Sequence, residues 1–235
     1  ILNSTFSDIS DLDISLHSDY TSFEVDWEPF GMCAIEDNVF EGLAAAEMDV
    51  GFSLEWPNIN FKNNSIKFDS PSNEISLFSD YQTGFPYDLF VTAEDCEIVG
   101  ASLNVTVIGD ATANITDCKV DEGIVAYSRF NSVTDTDVVI VGNNITSGGI
   151  LAGGRMWGST ECYAHLIMDD NTVSGRVELE RLSSGNANNN IFNGELWLED
   201  SSNCIFSETE LKNSLDLDGP LNDIAFQDSS FIFTG

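Results

Sequence analysis

The sequence predicts an all-β chain wound into about nine to ten short, stacked coils. Three observations carry that expectation. A degenerate template recurs: residues 170–179 (DNTVSGRVEL), 189–198 (NNIFNGELWL) and 208–217 (ETELKNSLDL) share a polar residue, an apolar residue two places on, Gly or Asn two further, then two alternating apolar positions. Residues 37–44 (DNVFEGLA) follow much of the same template. The apolar alternation has a period of two, the mark of short strands with one buried face, and no sustained 3.6-residue period leaves room for helix pairs. Composition agrees, because Asn, Ser, Asp, Ile and Phe are abundant and favour strands and turns.

Taking the first apolar position of each repeat as an anchor gives Phe40, Ile66, Ile98, Val120, Ile145, Val173, Phe192, Leu211 and Phe231. Their spacings are 26, 32, 22, 25, 28, 19, 19 and 20, too irregular for leucine-rich repeats. Two residues before each anchor lies a column of Asn38, Asn64, Cys96, Cys118, Asn143, Asn171, Asn190, Thr209 and Ser229. In stacked coils such positions sit about 4.8 Å apart, so an amide, both donor and acceptor, bonds to its neighbours above and below. The expected ladder is Asn38, Asn64, Asn143, Asn171 and Asn190, with Asn also expected to take the left-handed backbone of a sharp bend. Two residues after the anchor a second column holds Gly42, Gly100, Gly175, Gly194 and Asn213, again suited to a bend at positive φ.

This pattern of short strands, bends, an Asn ladder and coils of 19 to 32 residues resembles the right-handed parallel β-helix family, or β-solenoids, which includes pectate-lyase-like enzymes, phage tailspikes and many surface proteins. The resemblance covers about residues 37–233 and is one of architecture, carrying no family-specific catalytic motif. The alternative architecture is a β-sandwich with coincidental Asn-Gly turns. The chain divides accordingly into residues 1–36, strands that form a cap or first coil, and a helix over 37–235. Alternation over residues 9–16 and 23–27 marks strands in the first segment. The apolar end Phe231, Ile232 and Phe233 has no polar cap in this sequence and is expected to be an assembly edge.

The charge balance bounds function. Eight Lys+Arg against 40 Asp+Glu give a net charge of −32, which argues against binding nucleic acid or an anionic lipid surface. Such self-repulsion needs an offset: salt, bound cations or a cooperative scaffold. No run of 18 apolar residues supplies a membrane-spanning helix. The start, Ile1-Leu2-Asn3-Ser4, lacks an initiator Met and a signal-peptide pattern, implying a removed leader or a fragment. Five N-x-[ST] sequons, at Asn3, Asn63, Asn104, Asn114 and Asn144, favour an extracellular or cell-surface, glycosylated chain.

Cysteine spacing speaks against structural zinc, because no CxxC pair exists and His17 and His165 are far apart. Cys96 and Cys118 fall in one column of adjacent coils, within reach of a disulfide; two small residues replacing Asn is the equal alternative. Cys33, Cys162 and Cys204 are candidates for a bond between chains. Acidic pairs abound, at Asp11/Asp13, Asp135/Asp137, Asp169/Asp170, Glu199/Asp200, Glu208/Glu210 and Asp216/Asp218, and read chiefly as a solvated surface. No cofactor is expected; calcium is compatible, with Asp169-Asp170 and Asp216-x-Asp218 as guesses. Arg176 and Arg181 flank Glu178 and Glu180 and are expected to pair outward across coils. Lyases of the resembled family combine calcium-binding acids with an Arg or Lys base, and this chain has few of either base. Trp27, Trp56, Trp157 and Trp197 are expected in core or bend packing, with sugar stacking as the alternative.

The expectation for function is therefore a non-enzymatic structural protein whose partners are copies of itself and, secondarily, cell-surface glycans. In character it is similar to the amyloid-like tubular sheath proteins of filamentous methanogenic archaea, on architecture, acidity, sequons and cysteines. The alternatives are a β-helix polysaccharide hydrolase, a tailspike-like glycan binder, or a plain adhesin.

Overall fold

A computed structural model describes residues 2, 4–7, 14–17, 32–43, 51–55, 58–69, 71, 73–79, 89–108, 111–129, 136–155 and 162–232. Outside the described residues lie Asn3, Phe233, Asp11, Asp13, Asp135, the alternating stretch 23–27, and Trp27, Trp56 and Trp157. Among the described residues every regular element is a strand, and no helix is long and apolar enough to cross a membrane.

The strands form three parallel sheets, visited in strict rotation. The first sheet holds ten short strands, from Thr5–Ser7 through Val39–Leu43, Ser65–Phe68 and so on to Glu210–Leu211 and Ser230–Phe231. The second runs from Ile14–His17 to Leu215–Asp218, and the third from Met32–Glu36 to Asn222–Gln227, with nine strands each. Nine full turns and one further strand thus stack in register. The chain is a parallel β-helix.

The register explains the irregular spacing. Phe6 pairs with Phe40, Phe40 with Ile66, Ile66 with Ile98, Ile98 with Val120, Val120 with Ile145, and the column continues through Val173, Phe192 and Leu211 to Phe231. All nine anchors lie in one row of the first sheet. Variable spacing is absorbed between strands, because a row needs only equal strand register, not equal coil length. The strands before residue 37 head all three sheets, so they stack as the first rung of the helix.

The core is a continuous apolar rod. Phe40, Ile66, Ile98, Val120, Ile145, Val173, Phe192 and Leu211 are fully buried on one wall. Leu103, Val105, Val177, Leu179, Leu196 and Leu198 close the second wall, and Phe61, Ala93, Ile115, Ile140 and Met168 the third. Large and small residues meet on the third wall, so Ala93 lies over Phe61, and Ala187 sits directly before Phe206. Phe206 stacks on Phe226 with ring centroids 4.9 Å apart, continuing the rod toward the last rung.

Two local expectations about the bends need correction. The ladder asparagines do not adopt the left-handed conformation; the residue before each does. Asp37, Asn63, Asp95, Asp117, Asp170, Asn189, Glu208 and Asp228 have φ between 50° and 59°, and Gly142 fills the same place at 70°. The bend thus needs one left-handed residue, and the next is released to point its amide inward. In the glycine column, Gly100 has φ 77°, but Gly175 and Gly194 do not lie at positive φ. They are small for a different reason: a Cβ at Gly194 would lie 2.1 Å from the carbonyl oxygen of Gly175, and one at Gly175 would lie 2.5 Å from that of Gly148. Close rung-to-rung approach, not dihedral freedom, demands glycine there.

Candidate functional site

Polar chemistry concentrates in three places: the buried ladder, an acidic patch on the second sheet, and the last rung. The ladder is built from the bend upward. A left-handed residue turns the chain, and the following Asn is buried with its amide aligned along the helix axis. Asn64 Oδ1 accepts from Asn38 Nδ2 at 3.0 Å and from the Asn38 main chain at 3.2 Å. Asn171 Oδ1 accepts from Asn143 Nδ2, and Asn190 Oδ1 from Asn171 Nδ2, both at 3.0 Å. Four of the amide nitrogens also bond a carbonyl of the preceding coil: Asn64 to Ile35, Asn143 to Ile115, Asn171 to Ile140 and Asn190 to Met168. Ser4 extends the column downward through its N–H to Asn38 Oδ1, and Thr209 and Ser229 extend it upward. All five asparagines are at most 1% exposed, so these bonds are made in a dry interior where an unmade one is costly.

Cys96 and Cys118 occupy the ladder between Asn64 and Asn143. They stand as free, buried thiols, and each donates to a carbonyl of the preceding coil, Cys96 to Phe61 and Cys118 to Ala93. The thiol expectation for the other three is corrected for two of them. Cys162 and Cys204 are 0% and 1% exposed, so neither presents its sulfur to another chain. Burial pushes the Cys204 thiol up to about 12, which keeps it an unreactive apolar side chain at neutral pH. Cys33 is half-buried, and burial raises its thiol too.

On the outer face of the second sheet, Arg176 lies between Glu178 Oε2 at 3.5 Å and Glu195 Oε2 at 3.4 Å, with its guanidinium 4.5 Å over the Trp197 ring. Arg181 pairs with Glu180 at 3.1 Å. Glu180 stacks beside Glu199, and Glu199 beside Asp218. Burial raises the Glu178 carboxyl, a hydrogen bond with Glu180 adds to this, and Arg176 opposes it. Burial likewise raises Glu199, helped by the Glu180 charge. Trp197 offers its indole to Arg176, so the ring face is already engaged. An open groove beside the patch is lined by Ser102, Glu122, Val125, Leu151, Arg176 and Glu178.

The remaining candidates scatter. Asn63 and Asn144 are exposed and lie in the first sheet's corner region, whereas Asn104 and Asn114 are half-buried on strands of the second and third sheets. Asn63 Nδ2 donates to Asp37 at 2.6 Å, and Asn104 Nδ2 donates to Glu74 at 3.0 Å. Asp169 accepts from the Asn188 N–H and Asp170 from Asn189 Nδ2, so both serve rung-to-rung bonds. Among the described residues no three His, Cys, Asp or Glu side chains gather as a metal-ligating group.

The last rung is where burial fails. Leu196 and Leu198 are fully covered, but the next residues in their rows are a half-buried Leu215 and a Leu217 that is 48% exposed. Phe231 is 40% exposed, although Leu211 beneath it is fully buried, and Ile232 is 47% exposed. No family model, curated protein or solved structure matches the chain.

Proposed function

We propose that this is an extracellular structural protein whose copies add rung upon rung into a cell-surface sheath, filament or layer. The last described rung supports the reading. Leu215–Asp218, Asn222–Gln227 and Ser230–Phe231 each lie at the end of a sheet, paired on one side, with the apolar rod opening between them. The face they present carries strand-edge main-chain groups together with the exposed Leu217, Phe231 and Ile232. A second copy offers a parallel edge, whose strands Thr5–Ser7, Ile14–His17 and Met32–Glu36 each stand first in their sheet among the described residues. The charge of −32 sets the condition for joining: copies repel at low ionic strength and meet once salt shortens the repulsion.

The test is sedimentation velocity with negative-stain microscopy from about 0.01 to 1 M salt. Rods longer than one chain are expected at the higher end. The double substitution Leu217→Lys with Phe231→Lys places charge on the edge and should return single rods with unchanged far-UV circular dichroism. Monodisperse single rods of the wild-type chain under all conditions would overturn the reading.

A further inference from the structure

The amide ladder is interrupted once, over two consecutive rungs. Below the break it runs Ser4, Asn38, Asn64; above it, Asn143, Asn171, Asn190. At an asparagine rung the side-chain oxygen takes both the main-chain N–H and the amide of the rung before. A thiol replaces that strong acceptor with a weak one and the two amide donors with a single weak donor. Cys96 Sγ faces the carbonyls of Phe61 at 3.4 Å and Glu94 at 3.3 Å, and Cys118 Sγ faces those of Ala93 at 3.6 Å and Thr116 at 3.3 Å. One S–H cannot serve two carbonyls, so as a dithiol this is the weakest joint in the buried column.

The two sulfurs are also placed to do something amides cannot. They are 2% and 1% exposed, and their rungs are in register: the Lys119 N–H donates to the Cys96 carbonyl at 2.8 Å, and Glu97 pairs with Lys119. Stacked α-carbons about 4.8 Å apart fall within the range that a disulfide spans. Left-handed residues, Asp95 and Asp117, precede both, so the two side chains leave the backbone in the same direction. The other three cysteines lie off this column.

We infer that Cys96 and Cys118 form a redox site, a dithiol that closes into a disulfide and covalently splices the two halves of the asparagine ladder. The oxidant is a small-molecule or enzyme disulfide. One thiolate attacks it and forms a mixed disulfide, expelling one thiol. The second thiolate then attacks the mixed disulfide and expels the other. Two protons and two electrons leave the protein, and one oxidant disulfide becomes two thiols. Because both sulfurs are shielded in the folded rod, the exchange occurs as the rungs close during folding, and the finished bridge is shielded from reductant in turn. The inference stands independently of self-assembly.

The experiment refolds the full chain from guanidinium in glutathione buffers of graded oxidised-to-reduced ratio, with alkylation, non-reducing digestion and mass mapping. We expect a Cys96–Cys118 bridge in natively folded material, with Cys162 and Cys204 alkylated only after unfolding. The residues are 22 apart in sequence, so the bridged form should show an unfolding equilibrium constant about a hundredfold smaller than the reduced form at fixed urea. The double substitution Cys96→Asn with Cys118→Asn completes the ladder without sulfur, and its urea midpoint should not respond to reductant. Native chain with both cysteines alkylated at every ratio, a bridge to another cysteine, or a bridged form no more stable than the reduced one would each overturn the inference.

Discussion

The side-chain oxygen of Asn171 accepts two hydrogen bonds from Asn143, one from its main-chain N–H and one from its amide nitrogen, both at 3.0 Å. One buried atom therefore satisfies two donors of the rung below, while the Asn171 amide nitrogen satisfies the carbonyls of Ile140 and Asp169.

Replacing Asn171 with Ala should be among the most destabilising single changes in the helix. It strands the buried Asn143 N–H and takes a donor from the Ile140 and Asp169 carbonyls, of which the Asp169 oxygen keeps the Gly142 N–H at 2.9 Å, at a cost of about 1–3 kcal/mol. Asn171→Asp restores the acceptor but faces the two carbonyls with a carboxylate, so it should be worse at pH 7 than at pH 4. Urea unfolding midpoints at the two pH values measure both effects.

Gly194→Ala should cost about 2–3 kcal/mol, because the new methyl meets the main-chain oxygen of Gly175, which cannot swing aside as a side chain would. Thermal unfolding followed by circular dichroism reads this directly. An unchanged midpoint would show that neighbouring rungs slide apart freely.

Glu208 holds φ 50° without the local hydrogen bonding that helps Asn or Asp there. Glu208→Asn should raise stability by about 0.5 kcal/mol, seen as a higher urea midpoint. The corresponding exchange at Asn189, to Glu, should lower it by a similar amount.

The acidic patch sets a pH dependence. Burial and Glu180 raise the Glu178 carboxyl above its ordinary value of 4.5, so the native chain holds a proton there that the unfolded chain has released. Stability contributed by this group is therefore greatest at low pH and falls as pH rises from about 4.5 through the raised native value. The effect is small, because solvent and salt screen a carboxyl that is only partly buried. Glu178→Gln should flatten the pH profile of the urea midpoint across that window, and an unaltered slope would place the dependence elsewhere.

Much of the fold is legible in residue columns. The anchors from Phe40 to Phe231 are one sheet row, because an inward position on a stacked strand must be apolar whatever the length of the loop that leads to it. The Asn column was equally readable, since a buried amide at one offset from the anchor has few uses but to bond its own copies. Three things were less readable. The first rung is legible only as a cap or first coil, because Ser4-x-Phe6 keeps the ladder-to-anchor offset but the next anchor, Phe40, is 34 residues on. The left-handed residue lies one position before the Asn column, where the run Asp37, Asn63, Asp95, Asp117, Gly142 announces it. Burial of Cys162 and Cys204 was not readable, since both lie outside the template and their inward orientation depends on local register; the strand Leu182–Asn188, for instance, slips against Ala164–Asp169 at one point.

The aligned amides give the rod a sense of direction. Every ladder oxygen looks toward the amino-terminal rungs and every main-chain donor it serves looks back, so the column is a head-to-tail string of dipoles with unlike ends. Two rods meeting face to face through a two-fold axis would set like poles together and break the string. Only translation along the axis, each copy following the last in the same orientation, prolongs it, and growth of that kind has no built-in stopping point.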